Sequence, residues 1–176
     1  MQILDKSFVP FLSHSEILEQ IQNMAGRIVK DYVGKDPIFI VLLNGAFMFA
    51  TDLIRNITLP CQVSFVKVAS YHGMSSSGLI NEVLGLNENI QGRDVIILDD
   101  IVDTGGTMKS MIENLQKQRP SSVEVATLLL KPEAFKNQFP IKYIGFSIPN
   151  AFVVGYGLDY NGYGRNLKDI FQYQQG

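Results

Sequence analysis

Asp99, Asp100 and Asp103 crowd together in VIILDDIVDTGGTM, Val95 to Met108, directly ahead of a glycine-rich turn. Carboxylates so placed can accept hydrogen bonds from hydroxyls, exchange a proton or hold a divalent cation. The backbone N–H groups of a turn that runs into a helix can hold an anion. The two duties conflict, because each carboxylate repels an uncompensated phosphate. A ligand that offers both sugar hydroxyls and a phosphate removes the conflict, with magnesium offsetting charge elsewhere on it. The hydroxyls would meet Asp99 and Asp100, expected to project to opposite sides of an extended backbone after the strand VIIL ends. The phosphate would meet Asp103-Thr104-Gly105-Gly106-Thr107. Neither G-x-x-x-x-G-K-[ST] nor G-x-G-x-x-G occurs, so a nucleotide-hydrolase or dinucleotide loop loses its main support.

Such a turn must be presented by a scaffold, and the hydrophobic pattern describes one. Ile38 to Leu43, Val95 to Leu98 and Val125 to Leu130 are short, unbroken apolar runs, as expected of parallel strands covered on both faces. Cys61 to Ala69 alternates less cleanly and predicts a strand with less complete burial, toward an edge where the sheet thins. Helical stretches follow two of the runs, roughly Phe47 to Arg55 and Thr107 to Lys117, which gives the alternation of an open α/β sheet. Ligands in such sheets sit at the carboxyl ends of the strands. Ser13 and Glu16 have capping-box spacing, and Ile17, Leu18, Ile21, Met24, Ala25, Ile28, Val29 and Tyr32 then recur at helical intervals. HGMSSSGLI, inside the segment 71 to 81, has the composition of an exposed loop. IFIVLLNGAFMFATDLI is apolar enough to suggest a membrane span, but Asn44-Gly45 and Asp52 divide it into a strand, a turn and a helix.

At 176 residues and 46% hydrophobic content, one domain spanning 1–176 with a sizeable core is expected. Fifteen basic and seventeen acidic residues give a charge of −2, so no global positive field exists to attract nucleic acid or anionic lipid. The lone Cys61 excludes an internal disulfide and suits a reducing compartment. MQILDKSFVP lacks the features of a signal peptide, and a cytoplasmic protein is expected.

VIILDDIVDTGGTM resembles the phosphoribosyl-diphosphate motif of type I phosphoribosyltransferases, in which apolar residues precede two acids, two apolar residues and D-T-G. FVVGYGLDYNGYGRNLKDI, Phe152 to Ile170, is similar to the purine-site segment of the hypoxanthine and hypoxanthine-guanine members. LLNGAFMFATDL, ASYHG and LLLKPEAF fall in the same family order, so the resemblance covers nearly the whole chain. It implies an open, mostly parallel sheet flanked by helices, with a small hood over the C-terminal strand ends built from N-terminal and C-terminal segments. It also implies purine salvage: N9 of a 6-oxopurine displaces pyrophosphate from C1 of the activated ribose, with magnesium as cofactor. The partners are then small molecules and further copies of the chain, as a homodimer or homotetramer, with no nucleic acid and no membrane.

The resemblance also assigns roles. Asp99 and Asp100 would hold the ribose hydroxyls, directly or through magnesium, and Asp103 to Thr107 the 5′-phosphate. Asp103 would also manage a proton at purine N7, and Lys131 would donate to O6, favouring hypoxanthine and guanine over adenine. Phe152 would stack on the base and the Val153 backbone meet its edge. Asp159 would lie near a second magnesium and Arg165 would contact pyrophosphate. Leu43-Asn44-Gly45 matches the pyrophosphate loop, where the family often has a cis peptide, and Ser70 and Tyr71 would begin the loop that closes over the transition state. Asp99 stands where many relatives have Glu, and Asn44 and Gly106 where some have Lys or another long residue; these departures bear on diphosphate affinity more than on the reaction.

On residues alone, two aspartates at a strand end are more often a solvated turn, and the appended D-T-G-G-T reverses that balance. Lys131 alone would be an exposed strand-end lysine, Phe152 a core aromatic, and Asp159 with Arg165 a surface ion pair. His14 and His72 lack metal-ligand spacing. Two rivals are a magnesium-dependent receiver domain, whose acid pair should come near the N-terminus, and a regulator of the same fold that binds nucleic acid, which should carry a basic stripe.

Overall fold

The computed structural model describes residues 1–69, 81–136 and 139–174. Its central layer is built from the unbroken apolar runs. β3 (Ile38–Leu43), β4 (Gln62–Ala69), β6 (Asp94–Val102), β7 (Ser122–Leu130) and β8 (Tyr143–Ser147) are parallel neighbours, and β5 (Asn81–Leu84) adds an antiparallel edge beside β4. The order across the sheet is β5-β4-β3-β6-β7-β8. These strands can be apolar at every position because both faces are covered. Phe39, Val41, Ile96 and Leu98 enter one core with α1 (His14–Asp31) and α2 (Phe47–Arg55). Ile38, Ile40, Leu42, Val95 and Ile97 enter the other with α3 (Gly106–Gln116). Fully burying such a side chain contributes roughly 1.5–3 kcal/mol.

α1 starts where the spacing places it. Ser13 accepts from the Glu16 N–H while the Glu16 carboxylate accepts from the Ser13 N–H, a complete capping box. The apolar positions Ile17, Ile21, Met24, Ala25 and Ile28 all bury against the sheet. Ile38 to Ile54 divides into strand, turn and helix as expected, and among the described residues no helix is long and apolar enough to cross a membrane.

A second sheet lies apart from the first, in the order β1-β2-β10-β9: β1 (Gln2–Ile3), β2 (Lys6–Leu12), β10 (Ile170–Tyr173) and β9 (Val153–Val154), all antiparallel. This is the hood, made by strands from both ends of the chain. It is joined to the main body by α1, whose first N–H, at His14, is accepted by Asp169 just before β10 at 2.7 Å.

Two details differ from the sequence expectation. β6 does not stop at Leu98 but runs through both aspartates to Val102, because β7 pairs with it as far as Val102 opposite Leu130. β4 is not the edge, which β5 provides.

Candidate active site

Three parallel strands deliver the site from their carboxyl ends. β3 ends in the Leu43–Gly45 turn, β6 carries Asp99 and Asp100 and runs on to Asp103, and β7 ends immediately before Lys131. The turn Asp103 to Gly105 enters α3 with Gly105 at φ +82°, a left-handed conformation that glycine adopts without steric cost. α3 has no side-chain cap, so its first N–H groups can hold an anion, to which the helix dipole adds positive potential.

Two cavities meet here. The inner one, about 230 Å³, is lined by Leu42, Leu43, Gly45 and the continuous stretch Asp99 to Met108, so Thr104, Gly105, Gly106 and Thr107 all face it. The outer one, about 270 Å³, is lined by Lys131, Phe152, Val153, Leu158 and Asp159 together with Asp100, Ile101 and Asp103. The three residues common to both join them into a cleft with an anion seat at one end and a slot roofed by the hood at the other. Phe152 is 44% exposed, an aromatic face left open in the slot and supported from behind by Tyr160, at 5.8 Å between ring centroids, and by Phe8 at 6.2 Å.

Asp99 Oδ1 accepts from the Asp100 N–H at 3.1 Å, and the two carboxyls influence one another's ionisation. Burial is the first cause that pushes both above the ordinary carboxyl range, and the Asp100 charge pushes Asp99 further. Backbone N–H groups and the Arg165 guanidinium partly restrain the rise at Asp100. The Asp100 carboxylate lies against the Gly45 backbone so closely that a Cβ at position 45 would overlap it. The Leu43–Asn44 peptide is cis, and the Asn44 side chain is exposed and does not line the inner cavity.

Lys131 is 7% exposed, and its Nζ lies 2.7 Å from Asp103 Oδ2. A lysine before a proline was expected at the surface on residue type alone. It is buried because its N–H continues the β6–β7 pairing through Val102 O and its carbonyl accepts from Ala134 and Phe135. On the far side of the slot, Arg165 meets the Asp159 carboxylate at 2.6 Å and donates to the Gly157 carbonyl at 2.7 Å. Asp159 also accepts from the Gly162 N–H.

Of the expected residues within the described part, all but Asn44 and Arg165 line one of the two cavities, and Arg165 meets Asp159 beside the outer one. Ser70 and Tyr71, expected to begin the closing loop, and His72 lie outside the described residues. Ile101 and Leu158 line the outer cavity and were not foreseen, because an apolar side chain inside a motif carries no chemical signal of its own. His14, which lacks metal-ligand spacing in the sequence, sits in the hood junction, with its Nδ1 buried and without a hydrogen-bond partner.

Comparison with known proteins gives a consistent result. The phosphoribosyl transferase domain family matches residues 11–161. The hypoxanthine-guanine phosphoribosyltransferase of Streptococcus pneumoniae is 41% identical over 160 residues, covering 90% of this chain and 89% of its own. Among solved structures, the hypoxanthine phosphoribosyltransferase of Staphylococcus aureus superposes with a TM-score of 0.90 at 38% identity, covering 94% of this chain and 91% of its own. A hypoxanthine-guanine phosphoribosyltransferase from Bacillus anthracis does so with a TM-score of 0.90 at 31% identity, covering 97% of this chain and 99% of its own.

Proposed function

This chain belongs to the phosphoribosyltransferase family, among the hypoxanthine-guanine phosphoribosyltransferases, and on that premise we propose that it transfers the 5-phosphoribosyl group from phosphoribosyl diphosphate to N9 of hypoxanthine and guanine. The products are IMP or GMP and pyrophosphate. The unit that does this is the whole chain, 1–176, as one domain, working in the cytoplasm as a homodimer or homotetramer.

The observation that carries this reading is the placement of Lys131 and Asp103 side by side in the slot, between the anion seat and the exposed face of Phe152. Adjacent donor and acceptor groups suit the adjacent O6 and N7 of a 6-oxopurine. Lys131 donates to O6, a bond the exocyclic amine of adenine cannot accept, and the Asp103 carboxylate holds the N7 proton and can move it as N9 bonds to the sugar. Phe152 stacks on the base, and the Val153 backbone meets its edge. In the free protein Lys131 and Asp103 satisfy one another, which keeps a buried ammonium paired until the base replaces the contact.

The 5′-phosphate sits on the 103–107 turn, held by N–H groups and the Thr104 and Thr107 hydroxyls. Asp100 borders the shared stretch of the cleft and Asp99 the inner cavity beside it, where they face the ribose hydroxyls. The Leu43-Asn44-Gly45 turn takes the pyrophosphate, and Arg165 approaches it from the hood. Displacement builds positive charge on the sugar, and the carboxylates beside the ribose favour that charge electrostatically.

The donor set fits magnesium. Two carboxyls driven upward by burial, Asp99 also by the Asp100 charge, are the groups that a dication stabilises as carboxylates. Among the described residues no group of three or more His, Cys, Asp or Glu forms a complete cage, and magnesium typically takes one or two carboxylates and completes its shell with water and substrate oxygens. Asp99 and Asp100 would hold one ion and Asp159 would lie beside a second. Magnesium bound there neutralises charge on the leaving pyrophosphate.

The test supplies phosphoribosyl diphosphate and magnesium with hypoxanthine, guanine, xanthine or adenine separately, and quantifies nucleotide and pyrophosphate. Equal formation of both products with hypoxanthine and with guanine, and none with adenine, is expected. No product with any base, or a preference for adenine, would overturn the assignment.

A further inference from the structure

The segment between β9 and Arg165 touches the main body at two places. Gly157 has φ +99°, and a side chain there would run into the Gly45 carbonyl oxygen, so the hood turn lies directly on the Leu43–Gly45 turn. One residue earlier, the Tyr156 hydroxyl donates to Asp52 Oδ2 at 2.5 Å. Asp52 stands on α2, the helix that leaves the same turn, and has Arg55 at 3.9 Å. Tyr156 is 2% exposed and holds a left-handed φ of 50°, unusual for a residue other than glycine, asparagine or aspartate. Its backbone is pinned by its N–H to Leu167 O at 2.8 Å. Neither Tyr156 nor Asp52 lines either cavity of the cleft.

The same turn carries functional groups on its other side. Gly157 exchanges both backbone bonds with Arg165: its N–H donates to the Arg165 carbonyl at 3.0 Å and its carbonyl accepts from Arg165 Nη1 at 2.7 Å. Leu158 and Asp159 then enter the outer cavity, and Asp159 meets Arg165. A displacement of Tyr156 is therefore passed along the chain to Gly157, and from there to Arg165 through one backbone bond and the bond from Nη1, to Asp159 through Arg165, and to Gly45 through close packing.

We propose that Tyr156 and Asp52 are positioning residues whose hydrogen bond fixes the separation between the Leu43–Gly45 turn and the turn bearing Asp159 and Arg165, so that the two grip one diphosphate from opposite sides. The proposal rests on the phosphoribosyltransferase reading given above. It makes the tether act on the diphosphate: Lys131 and Asp103, which hold the base, stand at the ends of β7 and β6 and do not pass through the tether.

The experiment compares Tyr156→Phe, Asp52→Ala and Asp52→Asn in the full chain. KM is measured for phosphoribosyl diphosphate and for hypoxanthine, and binding of phosphoribosyl diphosphate with magnesium is measured directly by calorimetry. Tyr156→Phe and Asp52→Ala should raise KM and Kd for the diphosphate about tenfold, the usual scale of a lost hydrogen bond to a charged group, with the hypoxanthine KM unchanged. Asp52→Asn keeps an oxygen that accepts from the tyrosine hydroxyl and should behave as wild type. A general loss of packing would instead move both KM values together, and that result overturns the proposal, as does an Asn variant as impaired as the Ala variant. If Tyr156→Phe does not fold, the contrast between Asn and Ala at position 52 still decides. A wild-type protein that binds the diphosphate but transfers nothing to any purine counts against the assigned reaction and leaves the tether to be judged by calorimetry alone.

Discussion

Lys131 Nζ and Asp103 Oδ2 lie 2.7 Å apart, although one side chain is 9% exposed and the other 47%. The lysine is the member that cannot easily do without the pair, because a buried ammonium without a partner is costly while a half-exposed carboxylate is solvated. The base must supply the lysine with a replacement acceptor, and a purine O6 does so.

Lys131→Ala should therefore depress catalysis with hypoxanthine and guanine by roughly 10- to 100-fold, the scale of a hydrogen bond to a charged group, with binding of phosphoribosyl diphosphate nearly intact. Steady-state kinetics with the base varied, beside calorimetry with the diphosphate, measures both. A large loss of diphosphate affinity at unchanged purine kinetics would place the lysine at the wrong end of the cleft.

The contact between Gly45 and the Asp100 carboxylate leads to a second expectation. Alanine at position 45 adds one methyl group, yet that methyl must occupy the space of the carboxylate. Gly45→Ala should fold, since the nearest atoms its methyl meets all belong to the Asp100 side chain, and lose about 10²-fold in rate through misplacement of Asp100 and the turn. Circular dichroism and single-turnover kinetics separate the two effects. Near-normal turnover would show that the carboxylate moves aside freely and does not depend on the close fit.

Stability at high pH follows from three tyrosines. Burial, with the Glu124 charge second, pushes Tyr32 up to about 12, and burial with an acceptor carboxylate raises Tyr143 and Tyr156 further. Their hydroxyls pair with Asp31 and Asp52 respectively. In the unfolded chain a tyrosine ionises near about 10. Below that value both states keep the proton and the stabilisation is complete; above it the unfolded chain loses protons that the folded chain retains, so stability falls as pH rises. Denaturant midpoints should decline above pH 10, and phenolate absorbance should show these tyrosines silent until the protein unfolds. Tyr156→Phe should make the decline shallower. Ionisation of all the tyrosines at the ordinary pH in the folded protein would contradict the buried pairing.

What the sequence shows of all this depends on whether the stabilising partner is local. β3, β6, β7 and α2 are visible because a strand covered on both faces must be apolar throughout, and Asn44-Gly45 punctuates the longest run. α1 is visible because its cap is encoded within four residues. The hood is not visible: β9 has two residues, β2 contains Pro10, and each is held by pairing with segments far away, such as Gln172 with both Val9 and Val153. The same reason explains why β6 was expected to end early, since polar residues in a strand are tolerated where β7 continues the ladder. In the site, the phosphate turn is legible from residue types, whereas Lys131 and Phe152 stand out only through resemblance to a family. The Tyr156–Asp52 bond spans 104 positions and leaves no periodic trace.

The two aspartates that border both cavities offer the sharpest contrast, because Asp103→Asn and Asp100→Asn each remove one charge with little change of shape. Asp103 faces Lys131 in the base slot, while the Asp100 N–H donates to the Asp99 carboxylate and the Asp100 carboxylate lies against Gly45. If Asp103 manages the proton at N7, its amide should bind the diphosphate near normally and react about 10²- to 10⁴-fold more slowly, the usual loss for a general acid–base. If Asp100 serves the ribose and the ion, its amide should weaken diphosphate binding and raise the magnesium concentration needed for half-maximal rate. It should also free Asp99 from a neighbouring negative charge, one of the causes that raise its pKa. Diphosphate calorimetry across a magnesium series, followed by single-turnover rates at saturation, reads the two defects separately. A pure binding defect at Asp103, or full activity of its amide across the pH range, would mean that the carboxylate only shapes the turn and neutralises Lys131, and that the N7 proton leaves through water.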